Sequence, residues 1–78
     1  PNPFNPSTKI SYSIPQSGNV SITIFNELGK EVITLVNGFK NAGSYEINFN
    51  ASDLSSGIYF YRIQSGNYAD TKKMLLVK

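Results

Sequence analysis

The residue types that carry most enzyme chemistry are scarce in this 78-residue chain. It contains no histidine and no cysteine, which excludes Ser–His–Asp triads, Cys–His nucleophiles and the common zinc sites. A Ser–Lys pair stays formally possible, but the serines cluster in predicted turns, where turn geometry already accounts for them. We therefore assign no catalytic residue and expect a non-enzymatic protein without a cofactor.

Carboxylate and amide oxygens are the remaining groups that could do chemistry. Glu27 and Glu31 flank one predicted hairpin, but a catalytic pair needs a cleft that shifts a pKa, so we interpret them as solvated charges. Asn48, Asn50 and Asp53 place oxygens near one corner, which leaves a calcium ion open as an alternative. Their spacing matches no EF-hand loop, and we assign no metal site.

Length and composition limit the class of protein. A chain of this size forms one domain, residues 1–78, and buries only roughly 60% of its unfolded surface. Since no disulfide can form, five Tyr and five Phe must supply much of the core. The formal charge of +2 forms no basic stripe and predicts no nucleic-acid partner. No apolar run approaches the roughly 18 residues that span a bilayer, so we expect no transmembrane segment.

Apolar and polar residues alternate along most of the chain, which is the pattern of half-buried β-strands. Residues 8–14 and 19–26 are the first two predicted strands. Their predicted inward residues are Ile10, Tyr12, Ile14, Val20, Ile22 and Ile24. The loop NELGK, in which Gly29 suits a left-handed conformation, joins the second strand to its predicted partner EVITLVN.

The second half of the chain continues the alternation. GFKNAG is predicted as a turn region, SYEINFN as a strand, NASDLSSG as a polar corner, IYFYRIQ as a strand and SGN as the last hairpin turn. The predicted inward residues are Tyr45, Ile47, Phe49, Tyr59, Tyr61 and Ile63. Short strands without helical periodicity predict an all-β fold, an immunoglobulin-like antiparallel β-sandwich of six to seven strands.

The stretch LSSGIY predicts a tyrosine corner, in which a tyrosine hydroxyl bonds backward to the main chain where a strand begins. Leu54, Gly57 and Tyr59 occupy the positions that such a corner needs. The alternative is that Tyr59 is an ordinary core residue. In both cases its role is structural.

The run DTKKMLLVK is apolar on both faces. Met74 and Leu76 alternate with Leu75 and Val77, yet only one face of a sandwich strand meets the core. The outer pair therefore needs a cover, which is either a loop or neighbouring domain of the full chain, or a binding partner. Lysines on an edge strand commonly prevent aggregation, and they also attract negatively charged receptors. The lysines of this run are Lys72, Lys73 and Lys78.

EVITLV is also apolar on both sides. Strict alternation predicts one face with Val32, Thr34 and Val36, and an opposite face with Ile33 and Leu35. We hypothesise that EVITLV and the last strand together form one exposed patch.

The start of the chain, PNPFNPST, holds three prolines, which donate no N–H to a strand ladder. We expect residues 1–7 to form an extended segment and residues 8–78 to form the sandwich. Pro3 and Phe4 would pin this start to the domain. Because the chain begins with proline and carries no export signal, we expect it to be a piece of a longer polypeptide.

Four blocks of the sequence, in this order, resemble the type A C-terminal sorting domain of type IX secretion cargo. They are PNPFNPSTKISYSIP, VSITIFNELGKEVITLVNG, NAGSYEINFNASDLSSGIYFYRI and TKKMLLVK, and together they cover essentially the whole chain. The pattern is also similar to the immunoglobulin-like domain of flagellar hook-capping proteins. The lysine-rich apolar ending favours the sorting domain.

This resemblance implies a sorting signal that takes a cargo protein across the outer membrane of a Gram-negative bacterium. The cargo would pass through the periplasm and end secreted or at the cell surface. The implied partners are an outer-membrane translocon, a separate sortase-type peptidase and the preceding cargo domain. Gly57 and Tyr59 would hold the strand beside the recognition element. By position, the recognition residues would be Lys72, Lys73, Met74, Leu75, Leu76, Val77 and Lys78.

The alternative function is that of a structural or accessory module in a secreted or surface protein, such as a spacer, an assembly module or a carbohydrate-binding domain. A carbohydrate-binding role would use exposed aromatic residues. The candidates are Phe39, Phe60 and Tyr68.

Overall fold

The structure is a computed structural model that describes residues 6–78. This part of the chain contains six strands and no helix. The strands are β1 (Ser7–Ile14), β2 (Gly18–Asn26), β3 (Glu31–Lys40), β4 (Gly43–Asn50), β5 (Gly57–Ser65) and β6 (Tyr68–Leu76). Pro3 and Phe4, which were expected to pin the start of the domain, lie outside the described residues.

The strands form two antiparallel sheets of unequal width. β1 pairs with β4 in a two-stranded sheet, and the other four strands follow the order β3–β2–β5–β6. Hairpins join β2 to β3 and β5 to β6 within the larger sheet, whereas the other three connections pass from one sheet to the other. The predicted all-β antiparallel sandwich is confirmed.

The core lies between the two sheets and is built from the inward residues of the strands. Ile22 and Ile24 of β2 are completely shielded from solvent, and Ile10 and Ile14 of β1 are almost as deeply buried. Truncating one of these side chains to alanine would cost roughly 2–5 kcal/mol, because a close-packed core refills a cavity only partly. The buried apolar residues are Ile10, Ile14, Val20, Ile22, Ile24, Phe49, Ala51, Tyr59, Ile63, Met74 and Leu76.

The hairpin between β2 and β3 is held by Asn26. Its side-chain oxygen accepts hydrogen bonds from the main-chain N–H groups of Leu28 (3.0 Å) and Lys30 (2.9 Å). Gly29 has a φ of 85°, a left-handed conformation that is costly for residues with a Cβ. The predicted hairpin loop and the special role of Gly29 are therefore confirmed.

Strand β3 departs from the prediction in length and in regularity. It continues to Lys40, so most of the predicted turn region GFKNAG is strand, and only Asn41 and Ala42 separate β3 from β4. Two irregularities in its pairing with β2 each give β3 one extra residue. Such bulges break strict alternation, and Leu35 and Val36 consequently both pack against the core. The prediction that Val36 shares a face with Thr34 was wrong for this reason.

The two segments that are apolar on both sides lie far apart in the sheet. β3 and β6 are its opposite edges, with β2 and β5 between them. The hypothesis that EVITLV and the last strand form one patch was therefore wrong. Sequence alternation says which side a residue faces, but it does not say which strands become neighbours.

Candidate recognition surface

Strand β6 is an edge of the four-stranded sheet. It pairs with β5 along its whole length, from Ser65 opposite Tyr68 to Gly57 opposite Leu76. Its other side has no strand beside it among residues 6–78. An unpaired edge offers a row of N–H and C=O groups on which another chain can pair.

At the end of β6, buried and exposed apolar side chains alternate. Met74 and Leu76 are each only 1% exposed and belong to the main core cluster, whereas Leu75 is 37% and the following Val77 is 46% exposed. The buried pair anchors the strand to the sandwich. The exposed pair faces outward, so residues 74–77 are not sealed within the domain.

The outward neighbours of Leu75 extend its apolar surface across the sheet. Leu75 lies opposite Ile58 of β5, and Phe60 lies opposite Phe25 of β2. Because directly paired residues of antiparallel strands share a face, these four side chains lie on the outer side of the large sheet. We call Phe25, Ile58, Phe60 and Leu75 the outer patch. All except Leu75 are half-buried.

Sequence reasoning missed Phe25 as a member of this surface. A signal was available, because Phe25 continues the outward series Ser21 and Thr23 and is the only large apolar residue in it. Phe25 becomes part of the outer patch because it pairs with Phe60 of β5, and no local sequence pattern reveals this pairing.

The three lysines of the predicted recognition segment have different surroundings. Lys73 lies opposite Phe60 on the outer side, beside the outer patch. Lys72 lies on the inner side of β6, where it borders a cleft between the sheets. Only Lys73 therefore adds positive charge directly beside the outer patch, with Arg62 one pair further along β5.

Lys78 fastens the end of the chain to the polar corner between β4 and β5. Its ammonium donates hydrogen bonds to the main-chain carbonyls of Ser52 (2.6 Å) and Leu54 (2.9 Å). Its main-chain N–H donates to the hydroxyl of Ser56 (3.1 Å). The corner carbonyls thus gain a charged donor, and β6 is held at its end as well as along its length.

The predicted tyrosine corner lies beside this contact. The Tyr59 hydroxyl donates to the carbonyl of Ser55 (2.8 Å), which is the backward bond that the sequence predicted. Leu54 packs against the core, and its N–H donates to the carbonyl of Ala51 (3.0 Å). Gly57 begins β5 with a φ of 153°, a conformation that side chains with a Cβ rarely adopt.

Two of the side chains considered as candidate catalytic or metal-binding groups make local hydrogen bonds. Glu31 accepts a hydrogen bond from the Thr34 hydroxyl (3.2 Å), and the side-chain oxygen of Asn50 accepts one from the N–H of Ser52 (2.9 Å). Within residues 6–78, no three Asp, Glu, His or Cys side chains lie close enough to hold a metal ion together. Nor does this part of the chain contain a helix of the length and apolarity needed to cross a membrane.

A comparison with known protein families gives a match over the full sequence. The sequence model described as "secretion system C-terminal sorting domain" matches residues 1–78, which is the whole sequence. Among the curated proteins, none matches this chain significantly.

Proposed function

Because the chain belongs to the family of secretion system C-terminal sorting domains, we propose that the β6 edge and the outer patch are the surface that the type IX secretion machinery recognises. Domains of this family are sorting signals that direct cargo proteins through the type IX system. Their cargo is secreted or anchored at the cell surface of Bacteroidetes. The contact surface and the specific partners are the parts that we propose.

The partners that fit this role are an outer-membrane translocon and a sortase-type peptidase, which are separate proteins. The family is one of signals rather than catalysts. In this proposal the domain acts as a folded sorting signal that other proteins recognise, and it has no active site of its own.

The observation that carries the proposal is the alternation of buried and exposed residues at the end of β6. Met74 and Leu76 hold the strand in the core, while Leu75 and Val77 stay exposed on the other face. A partner that adds a strand to the β6 edge would gain main-chain hydrogen bonds from the edge and selectivity from the outward side chains. The half-buried Phe60 and Ile58 beside Leu75 would extend the contact. Lys73 would favour a partner with negative charge nearby.

The remaining residues of the predicted recognition segment would act indirectly. Met74 and Leu76 would present the strand, because a partner cannot reach side chains that are 1% exposed without unfolding the domain. Lys78 would fix the end of the strand through its bonds to Ser52 and Leu54. Lys72 would stand apart from the contact, since it borders the inter-sheet cleft.

The test is secretion of a reporter fused to this domain in a host with the type IX machinery. Removing the last six residues would also remove Met74 and Leu76 from the core, so a truncation cannot separate folding from recognition. A point substitution avoids this. We expect Leu75→Asp to abolish surface display or release of the reporter, while the purified domain keeps its cooperative unfolding.

Val32→Asp is the matched control, because Val32 is 36% exposed on the opposite edge strand and Leu75 is 37% exposed. We expect the Val32→Asp fusion to be secreted like the unmodified one. Normal secretion of the Leu75→Asp fusion, or equal loss with Val32→Asp, would reject the β6 surface as the recognition element.

A further inference from the structure

The unequal width of the two sheets leaves a cleft beside the first half of β6. The cleft has a volume of about 640 Å³ and lies between the β1–β4 sheet and the inner face of β5 and β6. Tyr68, Asp70 and Lys72 occupy inward positions of β6, yet Tyr68 and Lys72 are exposed because the narrow sheet does not cover them. Binding sites for small ligands have volumes of roughly 300–1,000 Å³, so the space suits such a ligand.

One wall of the cleft is a preorganised aromatic surface. The rings of Tyr12 and Tyr45 are stacked, with centroids 5.3 Å apart and an angle of 20° between their planes. The Tyr45 hydroxyl donates to the carbonyl of Asn41 (2.5 Å), and the Lys40 ammonium lies 5.6 Å from the centre of the Tyr45 ring. Side chains that are already held lose little conformational entropy when a ligand binds.

The facing wall supplies polar groups that have no hydrogen-bond partner among the described residues. Tyr61 and Tyr68 line it, and within residues 6–78 neither their hydroxyls nor that of Tyr12 makes a hydrogen bond to protein. Burial raises the pKa of Tyr61, and the carboxylate of Asp70 raises it further, so this hydroxyl stays protonated and able to donate. Asp70 and Lys72 form no ion pair with another described residue.

We propose that this cleft binds a neutral oligosaccharide of about two or three pyranose rings, a size that the cleft volume allows. A sugar ring has apolar C–H faces that pack on aromatic rings, and hydroxyls that bond to phenols and carboxylates. Besides the tyrosines, the ionisable lining residues are two acidic ones and one basic one, Glu46, Asp70 and Lys72, so the lining does not favour an anionic ligand. Among residues 6–78, Ile63 is the one aliphatic side chain that lines the cleft, so an apolar peptide side chain would find little apolar surface there and the chemistry favours a polyol.

The test is titration of the folded domain with cellotriose, xylotriose and mannotriose, each followed through amide chemical shifts by NMR. We expect saturable shifts at millimolar concentration with at least one trisaccharide, confined to residues 11–13, 44–46, 61–63 and 68–72. Tyr68→Ala should weaken this binding by about tenfold, because an exposed stacking ring is lost. Asp70→Asn should weaken it as well, since a charged acceptor is lost without a change of shape.

Phe39→Ala is the control, because Phe39 is 64% exposed and lies outside the cleft. The Phe39→Ala variant should bind the trisaccharides with the affinity of the unmodified domain. The proposal is overturned by the absence of saturable shifts with all three sugars, by shifts elsewhere on the surface, or if the Tyr68→Ala and Asp70→Asn variants bind as tightly as the unmodified domain. It is also overturned if an alternating Thr–Val hexapeptide binds the cleft and the sugars do not. These readouts use the isolated domain and are independent of reporter secretion.

Discussion

The hydroxyl of Tyr59 lies 2.8 Å from the main-chain carbonyl of Ser55 and donates a hydrogen bond to it. The ring of Tyr59 is in the core, so this bond ties the polar corner of residues 51–56 to the packed interior. The corner leads directly into β5, the strand on which the edge strand β6 pairs. The geometry of the corner therefore supports the surface that we propose for recognition.

Replacing Tyr59 with phenylalanine keeps the ring and removes the bond. We expect Tyr59→Phe to lower the free energy of unfolding by about 1 kcal/mol, the usual net value of an intramolecular hydrogen bond. Chemical denaturation measures this. Tyr68→Phe is the control, because its hydroxyl makes no hydrogen bond within the described residues, and it should leave the unfolding midpoint unchanged. Equal midpoints for both variants would contradict a stabilising role for the Tyr59 bond.

Gly57 should resist substitution although there is space for a side chain. No atom lies within 4 Å of a Cβ added there, but its φ of 153° is one that L-residues rarely adopt. We expect Gly57→Ala to cost about 1–3 kcal/mol in the free energy of unfolding because of backbone strain.

Gly38→Ala is the matched control for Gly57, since Gly38 also has free space around it but no positive φ. It should be neutral or slightly stabilising, because alanine restricts the unfolded chain more than glycine does. If both substitutions changed the unfolding free energy equally, the strain at Gly57 would not be the cause.

The contact between Lys78 and the corner should be visible in hydrogen exchange. Lys78→Met removes the ammonium that bonds to the carbonyls of Ser52 and Leu54. We expect the amide of Leu54, which bonds to Ala51, to exchange roughly two- to fivefold faster, since exposed charged contacts contribute about 1 kcal/mol or less. Lys73→Met, at another exposed lysine of the last segment, should leave that rate unchanged. An unaltered rate in Lys78→Met would show that the corner holds without it.

Stability should fall in alkaline solution. Burial raises the pKa of Tyr61 above its ordinary value of 10.0, and the nearby Asp70 raises it further. The pKa of Tyr12 is also raised, first by burial and then by the neighbouring Tyr45. The folded state thus keeps these protons longer than the unfolded chain does. Their stabilising contribution is complete below about pH 10 and is lost as the pH rises through the folded-state pKa values.

Denaturation midpoints measured across this range should therefore be flat up to about pH 9 and then decline. Asp70→Asn should lower the pKa of Tyr61, which near-ultraviolet absorbance of tyrosinate reports, and should make the decline smaller. Asp53→Asn, at the corner, serves as the control. If the denaturation midpoint increased as the pH rose beyond 10, the predicted loss of stability would be contradicted.

Much of the local structure could be predicted because it depends on neighbouring residues. The alternation around Ile10 and Ile14 predicted the buried face of β1, and the loop NELGK with its Gly29 predicted the hairpin. The bond from Tyr59 spans only four residues and was predictable from LSSGIY. The irregular part of β3 was not, because a bulge leaves no periodic trace and depends on how well Leu35 and Val36 fill the core.

The candidate surfaces were only partly predictable. Alternation predicted that Leu75 and Met74 lie on opposite faces, and it predicted that Leu75 needs a cover from outside the core. The partnership of Phe25 with Phe60 and the meeting of Tyr12 with Tyr61 at one cleft depend on strand pairing and on the unequal width of the sheets.

By itself, the sequence determined where the regular strands lie, the side on which each of their residues lies and the family to which the chain belongs; the bulged strand β3 is the exception. These properties depend on the two-residue repeat of the pleat and on short motifs. Only the tertiary structure decided that β6 is an edge, that its inner side borders a cleft, and that Lys78 reaches Ser52, 26 residues away. Strand neighbours are chosen by competition among all long-range contacts at once, and no local stretch of sequence contains that comparison.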